Sequence, residues 1–192
     1  MITKNFHKAA LMLVLSTGIA ACASNETKAP ETTQSQKAEM SSENVVSALY
    51  EVHHDNRIYV FYDEALYKSF VKMGHTPYMF TEIGAGPKGE TLVYALTGKD
   101  KKKRSGIPSV ELLAGKAKAA EDFYGEMRAE GRIFVFNNVK DMEMTRKTGE
   151  AALRYTEIGA GPKGETVIYV LNSTNKKKKP VALIEAFKQR NS

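Results

Sequence analysis

The chain has one cysteine, no tryptophan and only six prolines in 192 residues. One cysteine cannot close an internal disulfide, so no covalent staple holds the fold. No apolar run reaches the ~20 residues that a membrane-spanning helix needs. There is no G-K-[S/T] phosphate loop, no G-x-S-x-G elbow, and no H-R-D or D-F-G pair of a kinase. Metal-ligand spacing is also missing. Of the four histidines, His53 and His54 are adjacent on a β-rich stretch, where neighbours point to opposite faces and cannot readily share an ion. These absences disfavour disulfide scaffolds, nucleotide hydrolases, serine hydrolases and zinc sites, and no cofactor is expected.

The N-terminus reads as an export signal. Lys4 and Lys8 precede an apolar run over 9–20, and small residues follow, closing in Ile19-Ala20-Ala21-Cys22. This tetrad resembles the lipobox of bacterial lipoproteins. The resemblance implies removal of residues 1–21, acylation of Cys22 as the new first residue, and, with Ala23 rather than Asp after it, residence on the outer membrane facing the periplasm. Residues 22–44 carry Ser, Thr, Glu and Gln with little that could enter a core, so they read as a disordered tether. The formal charge is +6; losing Lys4 and Lys8 leaves +6 − 2 = +4. That mild excess does not imply nucleic acid.

The remainder is repetitive. "TEIGAGPKGET" stands at 81–91 and again at 156–166, and a shift of 75 residues aligns 51–103 with 126–178. Each copy offers a β-rich pair around a turn (Asp55-Asn56, Glu130-Gly131), then a helix from Asp63 or Asn138 to Gly74 or Gly149, then two strands around the glycine loop. The expected fold is therefore α+β: two tandem ββαββ modules, 45–104 and 120–180, in a pseudo-twofold duplication with an antiparallel sheet. Residues 105–119 are too apolar for a plain linker and are expected to pack on a module. Residues 181–192 are expected to form a C-terminal helix. The stretch "YEVHHDNRIYVFYDEALYKSFVKMGHTPY" also resembles the YHS-type pattern, which implies the ββα part of the fold.

G-A-G-P-K-G matches the letters of a dinucleotide fingerprint, but that motif needs a helix after the glycines, and strand-forming residues follow here. The candidate binding residues are Gly84, Gly86, Lys88, Gly89 and Glu90, with their counterparts Gly159, Gly161, Lys163, Gly164 and Glu165. Backbone amides beside a lysine suit an anion. Contact between the loops or with each other's modules, or a purely structural hairpin bend pairing Thr81 and Glu82 with Glu90 and Thr91, would also account for the glycines. The carboxylate pairs Glu82/Glu90 and Glu157/Glu165 would be the acid–base candidates of a less favoured envelope hydrolase or lyase. The basic runs 101–104 and 176–179 suit either a solvated strand exit or anionic lipid headgroups. The expected function is a non-enzymatic envelope lipoprotein binding a protein partner or an anionic ligand through the two loops. The alternative is a structural lipoprotein whose loops pack internally.

Overall fold

The computed structural model describes residues 45–192; the expected signal peptide over 1–21, Cys22 and the expected tether lie outside the described residues. Twelve elements follow in order. They are β1 (Val45–His54), β2 (Arg57–Phe61), α1 (Glu64–Met73), β3 (Met79–Glu82), β4 (Thr91–Ala95) and α2 (Pro108–Leu113). Then come β5 (Lys118–Ala129), β6 (Arg132–Phe136), α3 (Val139–Thr148), β7 (Arg154–Glu157), β8 (Thr166–Val170) and α4 (Val181–Asn191).

Local chemistry explains the boundaries. The β1–β2 turn places Asp55 and Asn56 at φ 50° and 57°, and the β5–β6 turn places Glu130 and Gly131 at 52° and 72°. Both residues at positive φ is the condition for the tight hairpin turn that matches strand twist. Asp63 caps α1 by accepting the Leu66 amide at 2.9 Å, and Asn138 caps α3 by accepting the Lys140 amide at 2.8 Å. Gly74 and Gly149 end these helices in the left-handed region.

All eight strands form one sheet in the order β3-β4-β2-β1-β5-β6-β8-β7. The sheet is mixed, which corrects the expected antiparallel one. The four hairpin pairs are antiparallel, but β2–β4, β6–β8 and β1–β5 are parallel. The cause is the helix between hairpins. α1 and the stretch 74–78 carry the chain across the sheet, so β4 arrives beside β2 in the same direction, as a crossover does.

Both faces are covered. α2 and α3 pack on one face through Leu112 and Met142, against Leu49, Ile58, Phe134 and Ile168. α1 and α4 pack on the other through Tyr67, Phe70, Leu183, Ile184 and Phe187, against Phe61, Val135 and Tyr169. Central strands buried twice are apolar on both sides, as β2 and β6 are. Residues 105–119 contain α2, whose Leu112 is buried and which touches β1.

Strand directions give the sheet two distinct ends. β1, β3, β5 and β7 run one way and β2, β4, β6 and β8 the other. Both glycine loops, 83–90 and 158–165, therefore fall at the end opposite to the point where the chain enters β1. This is called the loop end below, and the other the entry end.

Candidate functional site

The two loops are built alike. In the first, the Gly86 amide donates to the Glu90 carbonyl at 2.9 Å and the Gly89 amide to the Gly86 carbonyl at 3.0 Å. The Lys88 amide donates to Glu90 Oε2 at 2.7 Å. In the second, Gly161 to Glu165 and Gly164 to Gly161 are each 2.9 Å, and Lys163 to Glu165 Oε2 is 2.7 Å. The Lys88 and Lys163 amides are thus occupied by the loops' own glutamates, which closes them to an outside anion. What the loops present outward is side chains: exposed Lys88 and Lys163, and Ile83 and Ile158, which are 88% and 89% exposed.

The hairpin register differs from the simple bend. Thr81 pairs with Val93 and Glu82 with Leu92, so Glu82 does not oppose Glu90. Glu82 instead accepts from Tyr94 Oη at 3.1 Å, and Glu157 from Tyr169 Oη at 3.3 Å. The carboxylates of each presumed acid–base pair are engaged with different partners. Burial alone would raise the Glu165 pKa, but the Lys163 amide, its own backbone amide and Arg128 hold it below the ordinary value. A carboxylate held ionised is a poor general acid.

Three glycines of each loop have strict requirements. Gly84 and Gly89 sit at φ 71° and 84°, and Gly159 and Gly164 at 70° and 81°. Gly86 is different: a Cβ there would stand 2.6 Å from Glu90 Oε2 and 3.0 Å from its carbonyl, and Gly161 meets Glu165 in the same way. Gly86→Ala and Gly161→Ala should each cost about 1–3 kcal/mol in urea unfolding, because the glutamate must leave its amide. Gly98→Ala, where a Cβ meets open space, should stay within about 0.5 kcal/mol.

Each loop overhangs a cleft. The first, about 310 Å³, is lined by Pro87, Tyr94, Glu143, Arg146 and Lys147 among others. Its cations are matched: Arg146 reaches Glu51, and Lys147 reaches Glu143 at 2.6 Å. The second, about 470 Å³, lies between Pro162 and Lys163 of the loop, Tyr67, Lys68, Val71 and Lys72 of α1, Arg128 of β5, and Arg190 of α4. Lys68 pairs with Glu64 at 2.8 Å and Arg128 with Glu165 at 2.7 Å. Lys72 and Lys163 have no ion pair among the described residues. Two unmatched ammonium groups therefore stand over apolar walls. Each cleft joins a loop from one half of the chain to a helix from the other; in the first, Lys88 Nζ lies 3.5 Å from where a Cβ on Gly149 of α3 would be.

Beneath the clefts are two wholly buried glutamates that reading the sequence overlooked. Glu51 accepts from Arg146 Nε at 2.8 Å and contacts His53 Nε2 at 3.0 Å. Glu126 accepts from Tyr124 Oη and Asn191 Nδ2, each at 2.9 Å, and from Tyr67 Oη, while Arg128 NH2 stands 3.4 Å away. Burial, and then the charge of Glu126, push the Tyr67 and Tyr124 hydroxyls far above their ordinary pKa, so both remain protonated donors. A signal was present: Glu51 and Glu126 align at the 75-residue shift, and Glu51 interrupts an apolar run between Tyr50 and Val52.

Among the described residues no group of three or more His, Cys, Asp or Glu could hold a metal ion. No family model matches the chain, and no curated protein or solved structure matches it.

Proposed function

We propose that this chain is a non-enzymatic lipoprotein, anchored to the outer membrane through Cys22, that binds an anionic group in the cleft beneath its second glycine loop. The group is a carboxylate or phosphate borne by a partner protein or a small molecule. The observation that carries this is the pair of unmatched ammonium groups, Lys72 and Lys163, over walls formed by Tyr67, Val71 and Pro162. Few polar groups converging on an apolar concavity is the usual composition of a ligand site. The loop acts here through its lysine side chain and its shape, since the Lys163 and Gly161 amides serve Glu165 and the Gly164 amide serves Gly161.

The duplication belongs to this proposal. We take the halves as two copies of one ββαββ unit related by a pseudo-twofold axis running along the strands between β1 and β5. Such an axis makes β1 and β5 parallel and puts α1 and α3 on opposite faces. It also lays each loop over the other copy's helix. The symmetric strand order and the matched loop geometry support it. The copies have diverged where binding is proposed, Val71 in one standing where Arg146 stands in the other.

The experiment is thermal unfolding with increasing inorganic phosphate and, separately, with a short polyglutamate peptide. A ligand that binds only the folded state raises Tm according to its saturation. The native chain and Lys88→Ala should show the rise, and the double variant Lys72→Ala/Lys163→Ala should lose it. Equal rises in native chain and double variant, or none in either, would remove the anion site.

A second reading has its own observation. Lys88 lies at the end of α3, and Pro162 and Lys163 face α1 across the second cleft, so the loops also clasp the halves together. If that is their whole role, the glycine variants and Lys88→Ala lower stability, and phosphate raises Tm in neither the native chain nor the lysine variants.

A further inference from the structure

The entry end of the sheet collects chemistry that the loop end lacks. β4 and β8 both run toward it, so the basic runs that follow them, 101–104 and 176–179, emerge there together. They leave the sheet from strands five positions apart, about 24 Å at ~4.8 Å per strand. β1 and β5 extend past their neighbours between them, since β2 pairs along β1 only as far as Tyr50.

The positive charge of the two runs outweighs the carboxylates at this end, which are Asp100 and the exposed Glu121 and Asp122 on the projecting part of β5. Lys103 pairs with Asp100 at 2.6 Å, while Lys102, Arg104, Lys176, Lys177 and Lys178 are exposed with no ion pair among the described residues. Apolar groups are interleaved with it. Val45 at the start of β1 is 55% exposed, Val181 at the start of α4 is 53%, and Tyr78 is 40%. The Tyr78 carbonyl accepts the Leu96 amide just past β4, and Lys101 Nζ lies 5.1 Å from the Tyr78 ring. Lys179 lies likewise 5.4 Å from the Tyr155 ring. Lysines beside aromatic and aliphatic side chains match a headgroup layer, which is anionic at its surface and apolar below.

We propose that the entry end is a membrane-docking surface for anionic phospholipid headgroups. It holds the sheet upright on the leaflet and turns the loop end, with its clefts and with Ile83 and Ile158, away from the bilayer. The covalent path agrees: residue 45, where the segment from Cys22 joins the sheet, is at this end. The orientation rests on the lipid-anchor reading, whereas affinity of this surface for anionic lipid does not.

The test uses residues 23–192, which keep every described element and lack Cys22, so that binding cannot come from an acyl chain. Sedimentation with vesicles of phosphatidylcholine, with and without phosphatidylglycerol, measures the surface alone. Binding is expected only with phosphatidylglycerol and should fall steeply with salt. At about fivefold per basic residue near an anionic surface, reversing Lys102, Arg104, Lys177 and Lys178 to Glu should lower the partition coefficient more than a hundredfold. Lys88→Glu at the loop end should leave it unchanged. Circular dichroism of each variant separates lost binding from lost fold. No binding to phosphatidylglycerol vesicles, or an equal loss in the loop-end variant, overturns the proposal. Mass spectrometry of Cys22 in the cell-derived protein tests the anchor separately: an unacylated Cys22 would end the anchor reading and leave the vesicle result standing.

Discussion

Replacing Arg146 by alanine is expected to destabilise the domain by about 3–5 kcal/mol, because it strands a buried carboxylate without its counter-charge. Glu51 is 0% exposed, and Arg146 reaches it from α3 with Nε at 2.8 Å. Burial alone would push the Glu51 pKa up, yet Arg146 and then His53 hold it below the ordinary 4.5. A folded value below the unfolded one adds stability above 4.5, and that stability is lost as pH falls through the folded value. In Arg146→Ala the burial effect dominates, the folded value rises, and the carboxyl protonates more readily in the native state. The gap between variant and native protein should therefore be widest near pH 7 and shrink below about pH 4. Urea unfolding at both pH values measures this. The paired change Glu51→Leu/Arg146→Met should recover most of the loss, since apolar replacement of a whole buried pair is often neutral or better. A loss under about 1 kcal/mol for Arg146→Ala would mean that water reaches Glu51.

Phe187→Ala should cost about 3–5 kcal/mol, and it tests whether α4 is part of the core or an appendage. The Phe187 ring is 2% exposed and meets Tyr169 edge-on at 6.0 Å between centroids. Leu183 and Ile184 of the same helix are also buried. Val181→Ala on the exposed side should change stability by no more than about 0.5 kcal/mol. Equal effects of the two variants would show that α4 does not cover the sheet. α4 also brings Arg190 and Asn191 to the second cleft, and Asn191 to Glu126. Phe187→Ala should therefore also reduce the phosphate-dependent rise in Tm measured from its own lower starting value.

Much of the local architecture was legible because its causes are local. Asp63 and Asn138 announce helix starts by accepting amides within three residues, and Gly74 and Gly149 announce the stops by their left-handed backbone. The turns at Asp55-Asn56 and Glu130-Gly131 need residues tolerant of positive φ, and the sequence supplies them. The mixed pairing was not legible. Whether β4 lies beside β2 in parallel depends on where α1 and the stretch 74–78 return the chain, and no residue of β2 or β4 encodes its neighbour. Residues 108–113 show only apolar character in the sequence, because their helix is short and has no side-chain N-cap.

The same division applies to the candidate site. Sequence alone determined the two identical loops, their glycines, and the strands on either side, since φ requirements and β-forming runs are properties of a few adjacent residues. Only the tertiary structure decided that Glu90 and Glu165 each accept a loop amide of their own, and that each loop overhangs a helix from the other half of the chain. It also decided which lysines stay unmatched: Lys147 finds Glu143 one turn away, while Lys72 and Lys163 meet across a cleft with no carboxylate of their own. Charge balance at a site is a sum over groups brought together by strand order, and strand order is set by burial on both faces of the sheet rather than by any single segment.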